Sequence, residues 1–312
     1  MILGKTAGGL FWMFRHLERS ENTARLIEAG FHIALTRPDG DEWRSVLQTA
    51  AAAETYAADH DEIEQAKVIN FLLRDAANPS SVLNSIVQAR QNARLVRTAI
   101  TREVWEAVND TYMILKQRLA RPVAERDLPD VLATIRQQSA LVRGALHGSM
   151  LRNDVFDFAR LGTFLERADN TARILDVKYY VLLPSVTQVG TSLDNVQWET
   201  ILRSVAGERA YAWLNQGKAT PIGIADFLIF DPRMPRSLRF SVSKIRSNLE
   251  MLEAEYTDRH SCHDTVAKVD AQLRSGTVQE VFDDGLHEFL TSFLADVASL
   301  GQEIEAGYRF LE

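Results

Sequence analysis

The sequence predicts an all-α protein, a helical bundle formed by two tandem pseudo-symmetric helical repeats. Three observations carry this expectation. Long stretches without proline read at helical period, no well-bounded alternating run demands a strand, and landmarks of the first half return in order in the second.

In Val82 to Ile100, apolar Val82, Ile86, Ala89, Ala93, Val96 and Ile100 recur at steps of three and four, which predicts a helix over that span. Pro79, Ser80 and Ser81 mark its start, and the serines suit the capping of free N–H groups. Arg121-Pro122 and Asp127-Leu128-Pro129 break the pattern, and a new helix is expected near Asp130. Gly217 to Pro221 and Asp231 to Pro235 read as loops for the same reason.

Leu17-Glu18-Arg19-Ser20-Glu21-Asn22-Thr23-Ala24-Arg25 returns roughly 150 residues on as Leu165-Glu166-Arg167-Ala168-Asp169-Asn170-Thr171-Ala172-Arg173. Trp43, Val46, Leu47 and Ala51 recur as Trp198, Ile201, Leu202 and Ala206. Phe71 to Asp75 recurs as Phe227 to Asp231, and Pro79, Ser81, Ser85 and Arg90 match Pro235, Ser237, Ser241 and Arg246. One insertion near the loop Pro184 to Asn195 accounts for the change of spacing. The repeats divide the chain at 1–150 and 151–312, two halves expected to share one intertwined core.

The chain of 312 residues is 46% hydrophobic and 25% charged, an ordinary globular balance. Its formal net charge of -7 gives no general attraction for nucleic acid or an anionic membrane. A single cysteine, Cys262, leaves no disulfide within the chain, as in a reducing cytosol. The apolar run Leu10 to Phe14 meets Arg15, His16, Glu18 and Arg19 at once, without the cleavage site of a signal peptide. No stretch approaches the roughly 20 apolar residues of a membrane span. A bacterial-type cytoplasmic protein is the expectation.

The opening Lys5-Thr6-Ala7, Leu10-Phe11-Trp12 and Arg15 to Arg25, with Leu165 to Leu175 and Asp176-Val177-Lys178-Tyr179-Tyr180, resembles the alpha-E family, named for its Glu-Arg motif. The resemblance spans essentially the whole chain. It departs at Gly8-Gly9, where polar residues are expected, and at Phe14, where glycine is expected. The resemblance implies an all-helical bacterial protein encoded beside a circularly permuted ATP-grasp ligase, often near a transglutaminase-like peptidase. The implied pathway makes or modifies peptides by amide-bond formation.

At 100° per residue Glu18, Asn22 and Arg25 share one helix face, Arg19 lies beside it, and Glu21 is placed to pair with Arg25. Phe11 and Phe14 occupy the same sector earlier, and Ile174, Leu175, Val177, Tyr179 and Tyr180 follow the second copy, so both motif helices read as buried. Charges there need partners. One reading is a buried ion-pair network locking the halves together; another is a solvated face. The functional reading is a substrate pocket built from Glu18, Arg19, Asn22, Arg25, Glu166, Arg167, Asn170 and Arg173. In it Arg25 and Arg173 grip a carboxylate or phosphate, and Glu18 and Glu166 take an amine.

Arg90, Arg94 and Arg97 form a one-face stripe suited to phosphate, RNA or an acidic partner; the second copy keeps only Arg246, with Glu250 and Glu253 at the other places, which favours a solvated or ion-paired face. His260, Cys262, His263 and Asp264 match no common zinc spacing, so no metal is expected. No Glu-x-x-His pair, phosphate loop or G-x-S-x-G turn occurs, and no cofactor or catalytic residue is identified. Ser81 and Ser237 fit either helix capping or an anion at a helix start.

Three functions follow. The chain is a helical partner subunit of an ATP-grasp-type ligase that helps bind its amino-acid or peptide substrate. Alternatively it is a second enzyme acting on the ligase's activated acyl product, or a non-catalytic helical scaffold.

Overall fold

The computed structural model describes residues 2–36, 41–181, 192–215 and 219–311. Fifteen α-helices are described, and no strand occurs among these residues. In chain order they are α1 (Gly4–Thr36), α2 (Asp41–Thr49), α3 (Ala53–Asp59), α4 (Gln65–Arg74), α5 (Val82–Leu95), α6 (Arg102–Arg118) and α7 (Leu128–Ser149). There follow α8 (Asp154–Val181), α9 (Ser192–Ser204), α10 (Glu208–Asn215), α11 (Pro221–Phe230), α12 (Leu238–Tyr256), α13 (Ser261–Ser275), α14 (Val278–Asp284) and α15 (Leu286–Gly307).

The two motif helices, α1 with 33 residues and α8 with 28, lie against each other at the centre. At 1.5 Å per residue α1 runs for roughly 50 Å. On one side α1 packs on α5 and α7, and on the other α8 packs on α12 and α15. In the outer layer α6 covers α5 and α7, and α13 covers α12 and α15. Short helices cross between the sides, α2 reaching α8 and α9 reaching α1. The core is continuous across both sides, from Leu10, Phe11 and Met13 on α1 to Phe158, Leu161 and Leu165 on α8. The C-terminal segment closes one end, where Phe310 meets Phe11 at 5.3 Å and Phe158 at 6.0 Å between ring centroids.

Local chemistry sets the helix ends. Ser81 accepts from the Asn84 N–H and Ser237 from the Phe240 N–H, so both serines cap the helices that follow them. Helix α7 begins at Leu128 with Pro129 in its first turn, where a missing N–H costs nothing. The helix expected over Val82 to Ile100 stops at Leu95. Val96 and Ile100 stay buried in a turn, because Thr101 already caps α6 by accepting from the Val104 N–H. Pro221, expected at the end of a loop, opens α11, and the rest of the loop expected over 217–221 lies partly outside the described residues. The insertion expected near Pro184 to Asn195 falls mostly outside them too, with α9 beginning at Ser192.

Several local arrangements appear twice, at the positions where the sequence repeats. Trp43, Val46 and Leu47 are buried, as are Trp198, Ile201 and Leu202. Ala51 and Ala206 both take left-handed backbone, at φ 51° and 54°. The Tyr56 ring meets Phe71 edge-on at 5.1 Å, and the Tyr211 ring meets Phe227 edge-on at 5.5 Å.

Candidate functional site

The site begins with a close approach of two backbones. A Cβ on Gly162 of α8 would lie 2.1 Å from the Phe11 carbonyl oxygen of α1, so only glycine lets the helices touch there. Beyond that contact Glu18-Arg19 lies beside Glu166-Arg167. The motifs exchange partners: Arg19 grips Glu166 through Nε at 2.5 Å and Nη2 at 2.8 Å, and Arg167 grips Glu18 through Nε at 2.8 Å and Nη2 at 2.9 Å. Each pair is the planar two-point fork for which arginine is suited and lysine is not. Glu18 is 2% exposed and Glu166 5%, so the charges sit in the core rather than on a wetted face.

Around Glu18 the lattice of charges is complete. Arg236, from the loop before α12, donates to Asn22 Oδ1 at 2.8 Å and Glu21 Oε1 at 2.9 Å, and lies 3.1 Å from Glu18 Oε1. Arg143 of α7 pairs with Glu21 and lies 3.7 Å from Glu18, while Arg25 donates to Glu21 at 2.8 and 3.0 Å. The backbone at Arg236 is itself held, since Thr171 donates to the Arg236 carbonyl at 2.9 Å and Arg167 to that of Pro235 at 3.1 Å. Burial pushes the Glu18 carboxyl pKa up, but the guanidinium groups of Arg167, Arg236 and Arg143 outweigh it and hold the group well below the ordinary range. Burial and Glu18 also act to raise Glu21, and Arg236, Arg143 and Arg25 bring it down. Arg236 is lowered to about 10, chiefly by burial.

Around Glu166 the arrangement is open. Arg15 and Arg19 occupy its carboxylate, and against burial they hold its pKa down at about 2. The neighbouring Asp169 accepts from Arg173 alone among the described residues, at 2.8 and 3.1 Å. Asn170 makes no side-chain hydrogen bond to any described residue. These side chains line a pocket of about 210 Å³ together with the turn at Ala51 and with Asn78 and Ser80. Asn22 also stands in its wall, 3% exposed, and its Nδ2 is buried without an acceptor among the described residues.

The eight expected site residues therefore divide. Glu166, Arg19, Asn22, Asn170 and Arg173 line the pocket, while Glu18, Arg167 and Arg25 do not. Glu18, expected to take an amine, is taken by Arg167 and Arg236. Arg25 and Arg173, expected to hold a ligand, each pair with an acid one turn earlier on their own helix. Arg90, Arg94 and Arg97 lie elsewhere. Arg90 sits over the Tyr112 ring at 4.5 Å and donates to Asn109, Arg97 sits over Trp105 at 5.4 Å, and Arg94 is exposed. The His263 ring accepts from the His260 N–H at 3.1 Å at the start of α13, and burial pushes the Cys262 thiol up to about 12. No group of three potential metal ligands occurs among the described residues.

Sequence reasoning missed Arg15, Arg143, Asp169 and Arg236 as members of these clusters. For Arg236 a signal exists: it follows Pro235 where Ser80 follows Pro79, a charged residue after one proline and a small one after the other.

The fold and the site define a class, an all-α protein whose two longest helices exchange buried glutamate–arginine forks. The chain belongs to the Alpha-E family, described as a predicted alpha-helical domain with a conserved ER motif, which matches residues 2–308. It is also similar to uncharacterized proteins of Mycobacterium bovis and of Mycobacterium tuberculosis strain CDC 1551, each 23% identical over 311 residues, covering 92% of this chain and 34% of theirs. An uncharacterized protein of M. tuberculosis strain H37Rv is 22% identical over the same length. The chain thus spans about a third of the length of these relatives. No solved structure matches it.

Proposed function

We propose that the chain is a helical partner subunit of an ATP-grasp-type ligase in a peptide synthesis or modification system, with its pocket helping to hold the amino-acid or peptide substrate. A transglutaminase-like protein is a further partner in this reading, and the setting is the bacterial cytoplasm. The observation that carries it is the pocket lined by Glu166, Asp169, Asn170 and Ser80, with Asn22 in its wall, whose buried Nδ2 has no acceptor among the described residues. Carboxylates, amides and guanidinium groups around one small volume match an amino acid's own mixture of charges. The two halves are proposed to be pseudo-symmetric copies, 1–150 and 151–312, a reading supported by the exchanged forks and the paired caps and turns.

The test is reconstitution with an ATP-grasp-type ligase from the same genome. Product formation should depend on this chain and should fall at least tenfold with Asp169→Asn while the protein stays folded. Full product formation without the chain, or with the variant, would count against the reading. The cluster around Glu18 supports a scaffold role for its own part of the molecule, because its acids are fully occupied by internal arginines.

A further inference from the structure

We infer that the pocket beside Glu166 takes a guanidinium group, carried by an amino acid or peptide, in the place that Arg236 fills in the other half of the molecule. This deepens the proposed substrate-binding role and rests on the repeat reading given with it.

The correspondence runs residue by residue. Arg236 reaches Glu18, Glu21 and Asn22, and the repeat places Glu166, Asp169 and Asn170 at the matching positions of α8. All three of those line the pocket. The residue matching Arg236 is Ser80, one place after the matching proline, and Ser80 lines the same pocket. Where one half has a long side chain ending in a guanidinium, the other has a hydroxymethyl group and a cavity.

Charge agrees with shape. Without Arg236, the cluster around Glu18 holds two carboxylates, Glu18 and Glu21, and three guanidinium groups, from Arg25, Arg143 and Arg167. The pocket holds two carboxylates, Glu166 and Asp169, and three guanidinium groups, from Arg15, Arg19 and Arg173. The first set accommodates a fourth guanidinium inside the protein, so the second has the charge balance to do the same. The vacancy falls on Asp169: among the described residues its counterpart Glu21 contacts three arginines, whereas Asp169 contacts one.

A second, independent observation points to an oxygen acceptor on the same molecule. Asn22 spends its Oδ1 on Arg236, and its buried Nδ2, on the pocket wall, has no acceptor among the described residues. A buried donor left unpaired costs about 1–3 kcal/mol. A carbonyl or carboxylate oxygen of the guanidinium-bearing molecule would relieve that cost.

The experiment is calorimetric titration of the full chain with L-arginine, with L-citrulline as the uncharged isostere and L-lysine as the compact cation. L-Arginine should bind, citrulline at least about tenfold more weakly, and lysine between them, because an ammonium lacks the fork. Ser80→Arg should abolish arginine binding by placing a guanidinium in the pocket, and should raise the Tm. Asp169→Asn should weaken binding at least about tenfold, and serves where Ser80→Arg does not fold. Arginine that fails to bind, citrulline that binds equally well, or binding indifferent to both substitutions overturns the inference. Arginine binding that persists where the chain proves dispensable to the ligase overturns the proposed function and leaves the pocket assignment standing. Reconstitution that needs the chain while arginine does not bind overturns only the inference drawn here.

Discussion

Replacing Arg236 by serine, the residue at the matching place of the first half, removes a guanidinium that meets Glu18 at 3.1 Å, Glu21 at 2.9 Å and Asn22 at 2.8 Å. Deleting one partner of a buried charge network costs about 3–5 kcal/mol when the remaining charge is stranded. Here Glu18 keeps Arg167 and Glu21 keeps Arg143 and Arg25, so the loss belongs at the lower end, about 3 kcal/mol. At about 1.5 °C per kcal/mol for a cooperative unit of 312 residues, Tm should fall by roughly 5 °C in thermal unfolding followed by circular dichroism. Methylguanidinium at millimolar concentration should recover part of that loss in Arg236→Ser and do much less for Arg236→Met, whose thioether fills the space. An Arg236→Ser protein that melts within about 2 °C of the wild type would refute the reasoning, since Arg236 would then be spectator rather than keystone.

Three further outcomes follow from the same geometry. The Glu166 carboxyl stands at about 2 in the folded protein against about 4.5 when exposed, a depressed value, so its stabilisation is present above pH 4.5 and lost as pH falls toward 2. The loss is on the order of 3 kcal/mol for this group, readable from denaturant midpoints across that window, and a flat profile there would contradict the buried forks. Gly162→Ala should destabilise the chain severely by forcing α1 from α8, whereas Gly144→Ala, whose Cβ would meet nothing within 4 Å, should add about 0.5–1 kcal/mol of helix stability. Equal effects from the two alanines would show that the helices do not touch at Gly162. Arg173→Lys should keep Tm within a few degrees, because this side chain is 36% exposed and pairs along its own helix, yet lower product formation in the reconstituted ligase system. A drop in Tm with activity intact in the surviving folded protein would place Arg173 in the scaffold.

The all-helical architecture was legible because its signals are local: apolar residues at steps of three and four, serines ahead of α5 and α12, and proline in the first turn of α7. The burial of Glu18 and Glu166 was legible from apolar flanks such as Phe11 and Phe14, both buried in α1. Their partners were not. Helical spacing links Glu21 to Arg25 one turn away, and the structure holds that pair, but no periodicity says that Arg19 crosses to Glu166 and Arg167 to Glu18. Those contacts depend on Gly162 letting two helices meet, a property of packing between segments far apart in the chain. Arg143 and Arg236 were missed for the same reason: each lies on an element outside the motif and reaches it only once the bundle is assembled. The end of α5 was misplaced because Val96 and Ile100 keep the apolar pattern while the backbone turns, burial being indifferent to whether a helix continues.

The difference between Ser80 and Arg236 gives the two clusters separate duties. A carboxylate pair buried between two helices needs cations for either half to fold, and the exchanged forks supply that minimum on both sides. An additional guanidinium beyond the forks contributes stability at all times only where it belongs to the chain, because an internal side chain is always present, whereas a ligand contributes only while bound. Around Glu18 the chain provides that group, and the cluster becomes a permanent brace between α1, α7, α8 and the start of α12. Around Glu166 the chain omits it, keeps the acids that would receive it, and leaves Asn22 Nδ2 without an acceptor among the described residues. Once one cluster braces the fold, the other is free to carry an unfilled polar cavity whose cost falls on a molecule already held together elsewhere. Filling it by Ser80→Arg should therefore stabilise the protein and silence the site together, which a pocket without function has no reason to do.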